Sequence, residues 1–237
     1  MFCVELRKRV KAIDMKKYSV IAALCGVLVS SASIAQTRVE ASHPKYQSCR
    51  ALAVEVPQEA VTFAEAWIKK ERTATSLHCH SIALYKAKKF SESARKLMEI
   101  HTLTPRVDVT LRASLKRQAA RAWMLAGESD TALRHLSGAI KDIVYSDSNH
   151  PNIKRVSAEL LLERADVYHV TEELLKAVQD LDHAETFGVL REQILEKRAK
   201  TYILMENKEL ALKDIGDILK TSPHHQGANM LLAIIGE

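Results

Sequence analysis

Apolar residues recur along this chain at helical spacing, not at the alternating spacing of a strand. Leu160, Leu161, Val167 and Tyr168 share one helical stripe, and Leu174, Ala177, Val178, Leu181 and Ala184 form another. Pro44, Pro57, Pro105, Pro151 and Pro223 fall between such segments and never inside them. An interior proline would remove a hydrogen bond and clash with the preceding turn, so each bounded segment is free to be helical. The longest interruption, DSNHPNIKRVS from Asp147, is followed by Ile153, Val156 and Leu160 at helical spacing. That run predicts a helix reaching back to Pro151, because proline is tolerated in a first turn.

The segments repeat. Stretches beginning at Ser81, Ala119, Arg164 and Arg198 align without internal gaps. A small residue opens each (Ser81, Ala120, Ala165, Ala199), followed by a large one (Leu84, Trp123, Tyr168, Tyr202). A second small residue follows (Ser93, Ala132, Ala177, Ala211), then an aliphatic one (Leu97, Leu136, Leu181, Ile215), then Ile100, Ala139, Ala184 and Ile218. Small residues let two helices approach, and the bulky ones fill the space beside them. Ala177 and Ala211 are 34 residues apart, whereas Ser93 to Ala132 is 39 and Ala132 to Ala177 is 45, which implies insertions between units. A weaker unit precedes these, with Ser48, Ala51, Ala60, Ala64 and Trp67 assigned to the same columns.

This column pattern resembles the tetratricopeptide repeat (TPR), a pair of antiparallel helices about 34 residues long. No unit carries the full consensus; the first has Ser where Ala is usual, and the second lacks a closing Pro. The resemblance implies an all-α fold of helix hairpins stacked as a right-handed α-solenoid. It divides the chain into a degenerate leading repeat over 36–72, four repeats over 73–225 (about 74–107, 113–146, 158–191 and 192–225) and a capping helix over 226–237.

Composition agrees with an all-helical chain: 47% of residues are hydrophobic, with only seven Gly and five Pro. The net charge of +6 suggests a polyanion partner until its distribution is followed. Arg7, Lys8, Arg9, Lys11, Lys16 and Lys17 stand in the first 35 residues against Glu5 and Asp14, so the rest is only +2. Nucleic acid is therefore not an expected partner. From Met15, two lysines precede a short apolar run ending in Ser33-Ile34-Ala35, the three parts of a secretory signal peptide. Residues 1–35 are read as that signal, with Met15 as an alternative start and cleavage after Ala35. The apolar run is too short for a comfortable transmembrane helix. Lipidation at Cys25 is disfavoured because Leu24 stands where a small residue is wanted. The expected location is the periplasm of a bacterial envelope, with no membrane span after cleavage.

Cys49 and Cys79 would be the two cysteines left in the mature chain. Under the family alignment they lie on the first helices of successive units, and an even pair in an oxidising compartment predicts a disulfide. The same alignment implies a peptide-binding groove lined by first helices, including His78, Ile82, Tyr85, Arg117, Arg121, Met124, Asp166, His169 and Lys200. Arg117 and Arg121, four apart on one face, either receive an acidic or carboxylate-ended peptide beside Tyr85 and Met124 or form the solvated face of the second repeat. The Lys/Asn/Arg carboxylate clamp of some eukaryotic members is not supplied by the matching columns. His78 and His80 point about 200° apart on a helix and cannot share one ion, and His224-His225 has no third ligand at suitable spacing. No metal, cofactor or catalytic residue is expected, since phosphate loops, nucleophile elbows and His-Glu-x-x-His are all missing from the sequence. Glu172 and Glu173 suit a helix N-terminus, and Asp180 and Asp182 read as a solvated face. The expected function is a scaffold that binds a protein or peptide. The alternatives are a structural subunit of an envelope assembly and, less favoured, an enzyme.

Overall fold

The computed structural model describes residues 43–144 and 151–236. The signal-peptide reading, Met15 and Cys25 lie outside these residues, as does most of the segment after Val144. Eleven α-helices follow one another among the described residues. They are α1 (Pro44–Glu55), α2 (Pro57–Lys70), α3 (Ala74–Lys86), α4 (Phe90–Leu103), α5 (Val109–Leu125) and α6 (Ser129–Val144). The remainder are α7 (Pro151–Val170), α8 (Leu174–Glu185), α9 (Arg191–Leu204), α10 (Lys208–Thr221) and α11 (Gln226–Gly236). Prolines open α1, α2 and α7, where the missing amide costs no intrahelical bond. Thr73 and Ser76 cap α3 reciprocally, Ser76 N–H donating to Thr73 Oγ1 at 3.2 Å and Thr73 N–H to Ser76 Oγ at 3.0 Å.

Odd-numbered and even-numbered helices pair as antiparallel hairpins. The connections α3–α4, α5–α6, α7–α8 and α9–α10 are each three residues long. Their middle residues, Lys88, Gly127, Glu172 and Glu206, all have φ between 59° and 78°. The third residue of each turn donates its N–H back to the large column residue: Lys89 to Leu84, Glu128 to Trp123, Glu173 to Tyr168 and Asn207 to Tyr202, all at 2.8 Å. This is a left-handed helix stop that closes off the terminal carbonyls. The hairpin turn is thus the same in four units, although only one supplies glycine.

Packing explains the columns. Ser81, Ala120, Ala165 and Ala199 are buried, as are Ser93, Ala132, Ala177 and Ala211, where the two helices of each hairpin cross. Leu97, Leu136, Leu181 and Ile215 fill the space one turn along. The second helices are clearly amphipathic, with one wet face. The first helices are much less so, because neighbours cover them on several sides.

First helices contact one another along the stack, α1 with α3, α5 with α7, α7 with α9 and α9 with α11, whereas successive second helices do not touch comparably. Helices spaced more closely lie on the inside of a curve, so the first-helix layer is the inner, concave one. The leading hairpin departs from its assigned columns. A single residue, Val56, joins α1 to α2, and the shortened turn shifts the buried positions. Tyr46, Cys49 and Ala53 face inward, while Ser48 and Ala51 are exposed. None of the helices described is long and apolar enough to cross a membrane.

Candidate peptide-binding surface

The inner layer presents first-helix side chains, and most of its charges are spent holding the helices to one another. Arg117 Nη2 lies 2.9 Å from Glu159 Oε2, with both side chains largely covered. Arg121 Nε donates to both oxygens of Glu163, at 2.7 and 2.6 Å. The Arg117–Arg121 pair is therefore not a free anion receptor: α7 already supplies its carboxylates. Glu163 is 5% exposed, and burial pushes its carboxyl above the usual range although Arg121 pulls it back. Asp166 pairs with Lys197, and His169 Nε2 lies 2.7 Å from Thr201 Oγ1, both joining α7 to α9.

Toward the N-terminal end the cross-links change character. Cys49 and Cys79 bring their sulfurs to bonding distance across α1 and α3, with Cα atoms 6.0 Å apart, a geometry compatible with a disulfide. Beside them the Tyr46 hydroxyl lies 2.7 Å from His78 Nδ1, and Gln118 of α5 hydrogen-bonds the same imidazole. His78 is thus a link between helices, and burial lowers its basicity. His80 faces elsewhere, its Nε2 3.8 Å from Glu65 Oε1. Met124, partly buried, packs against the main hydrophobic core. Lys200 is exposed on α9, beside a cavity of about 290 Å³ that Leu231 closes from α11. His225 Nδ1 accepts from Ala228 N–H at 3.2 Å, so this histidine caps α11.

Among successive first-helix pairs, α3 and α5 make the least direct contact. The five-residue connection between α4 and α5, residues 104–108, accompanies this wider spacing. A cleft of about 230 Å³ opens there, floored by Ser81, Ser93 and Leu97 and walled by Ile82, Tyr85, Gln118 and Arg121. Tyr85 is 38% exposed and leans edge-on against Phe90, with ring centroids 5.3 Å apart. Of the predicted groove residues, the structure gathers Ile82, Tyr85 and Arg121 here and disperses the others.

The most exacting polar contacts escaped the sequence reading. Arg164 binds Asp180 through two bonds of 2.7 Å, and Arg198 binds Asp214 at 2.8 and 2.9 Å. Asp180 is 6% exposed and Asp214 2%, so the solvated-face reading of Asp180 is corrected. Asp182 also engages Arg198, at 2.7 Å. The sequence did hold a signal: both arginine–aspartate pairs are 16 apart, and the second repeats the first after 34 residues. Glu173 sits at the N-cap of α8, while Glu172 occupies the left-handed turn.

No family model matches the sequence, and no curated protein matches it significantly. Solved structures do resemble it in three dimensions. YrrB, described as a TPR protein with an unusual peptide-binding site, aligns with a TM-score of 0.52 at 15% identity, covering 84% of this chain and 94% of that one. MamA from Desulfovibrio magneticus RS-1 aligns with a TM-score of 0.55 at 12% identity, covering 78% and 98%. PilF of Pseudomonas aeruginosa aligns with a TM-score of 0.50 at 17% identity, covering 85% and 92%. At such identities the likeness is one of fold. With its hairpins, inner first-helix layer and recurring small-residue columns, this chain has the tetratricopeptide-repeat fold.

Proposed function

We propose that this chain is an exported interaction scaffold that holds a segment of a partner protein against its inner helix layer, in the bacterial periplasm. The observation that carries the reading is the cleft between α3 and α5, an open concavity on the inner layer whose wall includes the half-exposed Tyr85. The carboxylates best placed for acid–base chemistry serve as ion-pair partners: Glu159, Glu163, Asp180 and Asp214 each bind an arginine. That use favours a scaffold over an enzyme. The apolar run before Ser33 supports export. A photoreactive residue at Tyr85 is expected to crosslink a partner in intact cells, while one at the outer position Leu175 does not. Equal capture at both positions, or recovery of the chain in the cytoplasm with its first 35 residues intact, would sink the reading.

A second reading, a permanent subunit of an envelope assembly, draws on α11. Only Ala228 of that helix is buried, and Met230, Leu232 and Ile234 are 68%, 40% and 54% exposed. Light scattering decides: a monodisperse monomer favours the transient binder, and an obligate oligomer favours the subunit.

A further inference from the structure

The unspent charge on the inner layer is uneven. Helices α1, α3 and α5 carry Lys45, Arg50, Lys86, Arg112, Lys116, Arg117 and Arg121 against a single acid, Glu55. Helix α7 is balanced, with three basic and three acidic residues. Several of the seven are committed: Lys45 to Glu71, Lys116 to Asp142, Arg117 to Glu159, and Arg112 to the carbonyls of His101 and Thr104. Arg50 and Lys86 have no acidic partner among the described residues, whereas Arg121 is already paired with Glu163.

These three residues line two neighbouring concavities. Arg50 and Lys86 line a concavity of about 530 Å³ between α1 and α3, together with Ala51 and Val54. Arg121 lines the cleft of about 230 Å³ between α3 and α5. Ile82 belongs to both and forms the ridge between them. Concavities with an apolar ridge, an aromatic wall and two cations without acidic partners attract a ligand of opposite charge with one apolar side chain to bury.

Resting on the scaffold reading above, we infer that the ligand is an acidic segment of another protein, its carboxylates meeting Arg50 and Lys86 while one apolar side chain enters the α3–α5 cleft beside Tyr85. The site occupies the N-terminal part of the inner layer and excludes α9. Its α1 wall is held to α3 by the Cys49 and Cys79 sulfurs.

The test uses the full folded chain and a short polyglutamate peptide with one central leucine, labelled for fluorescence anisotropy. Affinity is expected to fall about tenfold when the leucine becomes glycine, as loss of one buried aliphatic side chain implies. A similar or larger loss is expected in Arg50→Glu and Lys86→Glu, whose side chains are exposed and whose circular dichroism should be unchanged. Lys200→Glu, on α9, should bind as the unaltered chain does, and a polylysine peptide with the same leucine should not bind. Equal weakening by Lys200→Glu and Lys86→Glu would overturn the assignment to α1, α3 and α5. Tighter binding of polylysine would overturn the acidic class. If Tyr85 crosslinks a partner in cells but the polyglutamate probe does not bind, the inference fails while the scaffold reading stands; if both fail, both readings fall.

Discussion

The four hairpin turns place one residue each in the left-handed region, and three of the four are not glycine. For an L-residue that conformation costs roughly 1–2 kcal/mol. A Cβ built on Gly127 meets nothing within 4 Å, so Gly127→Ala should cost about 1 kcal/mol through the backbone alone. Conversely, Lys88→Gly should stabilise the chain by up to about 1 kcal/mol, reduced by the extra freedom of glycine in the unfolded state. Urea denaturation of both variants measures the pair, and opposite signs are expected. The arginines behave differently. Arg121 is the partner of a buried carboxylate, so truncating it leaves Glu163 uncompensated, and Arg121 variants report stability before they report binding. Arg50 and Lys86 carry no such duty.

Among the elements, α1 and α2 stand apart. Their buried residues form two small clusters centred on Trp67 with Cys49 and on Val61 with Leu84, separate from the large cluster that runs from Leu77 to Val167. A crosslink closing a loop with 30 residues of sequence separation contributes roughly 3–4 kcal/mol in the chain-entropy model. Because it joins α1 to α3, its removal should act locally. Hydrogen-exchange mass spectrometry of the Cys49→Ser/Cys79→Ser chain is expected to show lost protection across α1 and α2 with α5 to α10 unchanged. Uniform loss throughout would mean that the stack unfolds as one unit. The register of this hairpin was the one misread from sequence, because the columns presume a three-residue turn and Val56 supplies one residue.

Across the molecule, burial depresses the basicity of His78, His80, His101, His135 and His169, with His101 lowered to about 4. Each takes its proton at a lower pH in the folded chain than in the unfolded chain, where the usual value is 6.5. The folded state therefore binds fewer protons in this window, and stability must fall with falling pH. Glu163, raised by burial, acts in the opposite sense, but it is one group against five. The midpoint of thermal unfolding should drop steadily from pH 7 toward pH 4, and His101→Phe should flatten the slope. A midpoint independent of pH over that range would show that the imidazoles are hydrated.

The order of helices, the hairpin pairing and the buried columns were legible without coordinates, because the small–large alternation needed for close helix crossing recurs within each unit at short range. Ala120, Ala165 and Ala199 announce the crossing wherever they occur. The surface was not legible in the same way. Arg121 and Glu163 are 42 residues apart, and nothing in the first predicts the second, since their meeting depends on how far α7 is rotated and shifted against α5. For the same reason the residues expected to share one groove are not gathered in one place: Met124 packs against the core, and Asp166 and His169 pair with side chains of α9. Helix identity and burial follow from local periodicity, whereas the cleft depends on the spacing between helices, set by connections and by packing between units distant in sequence.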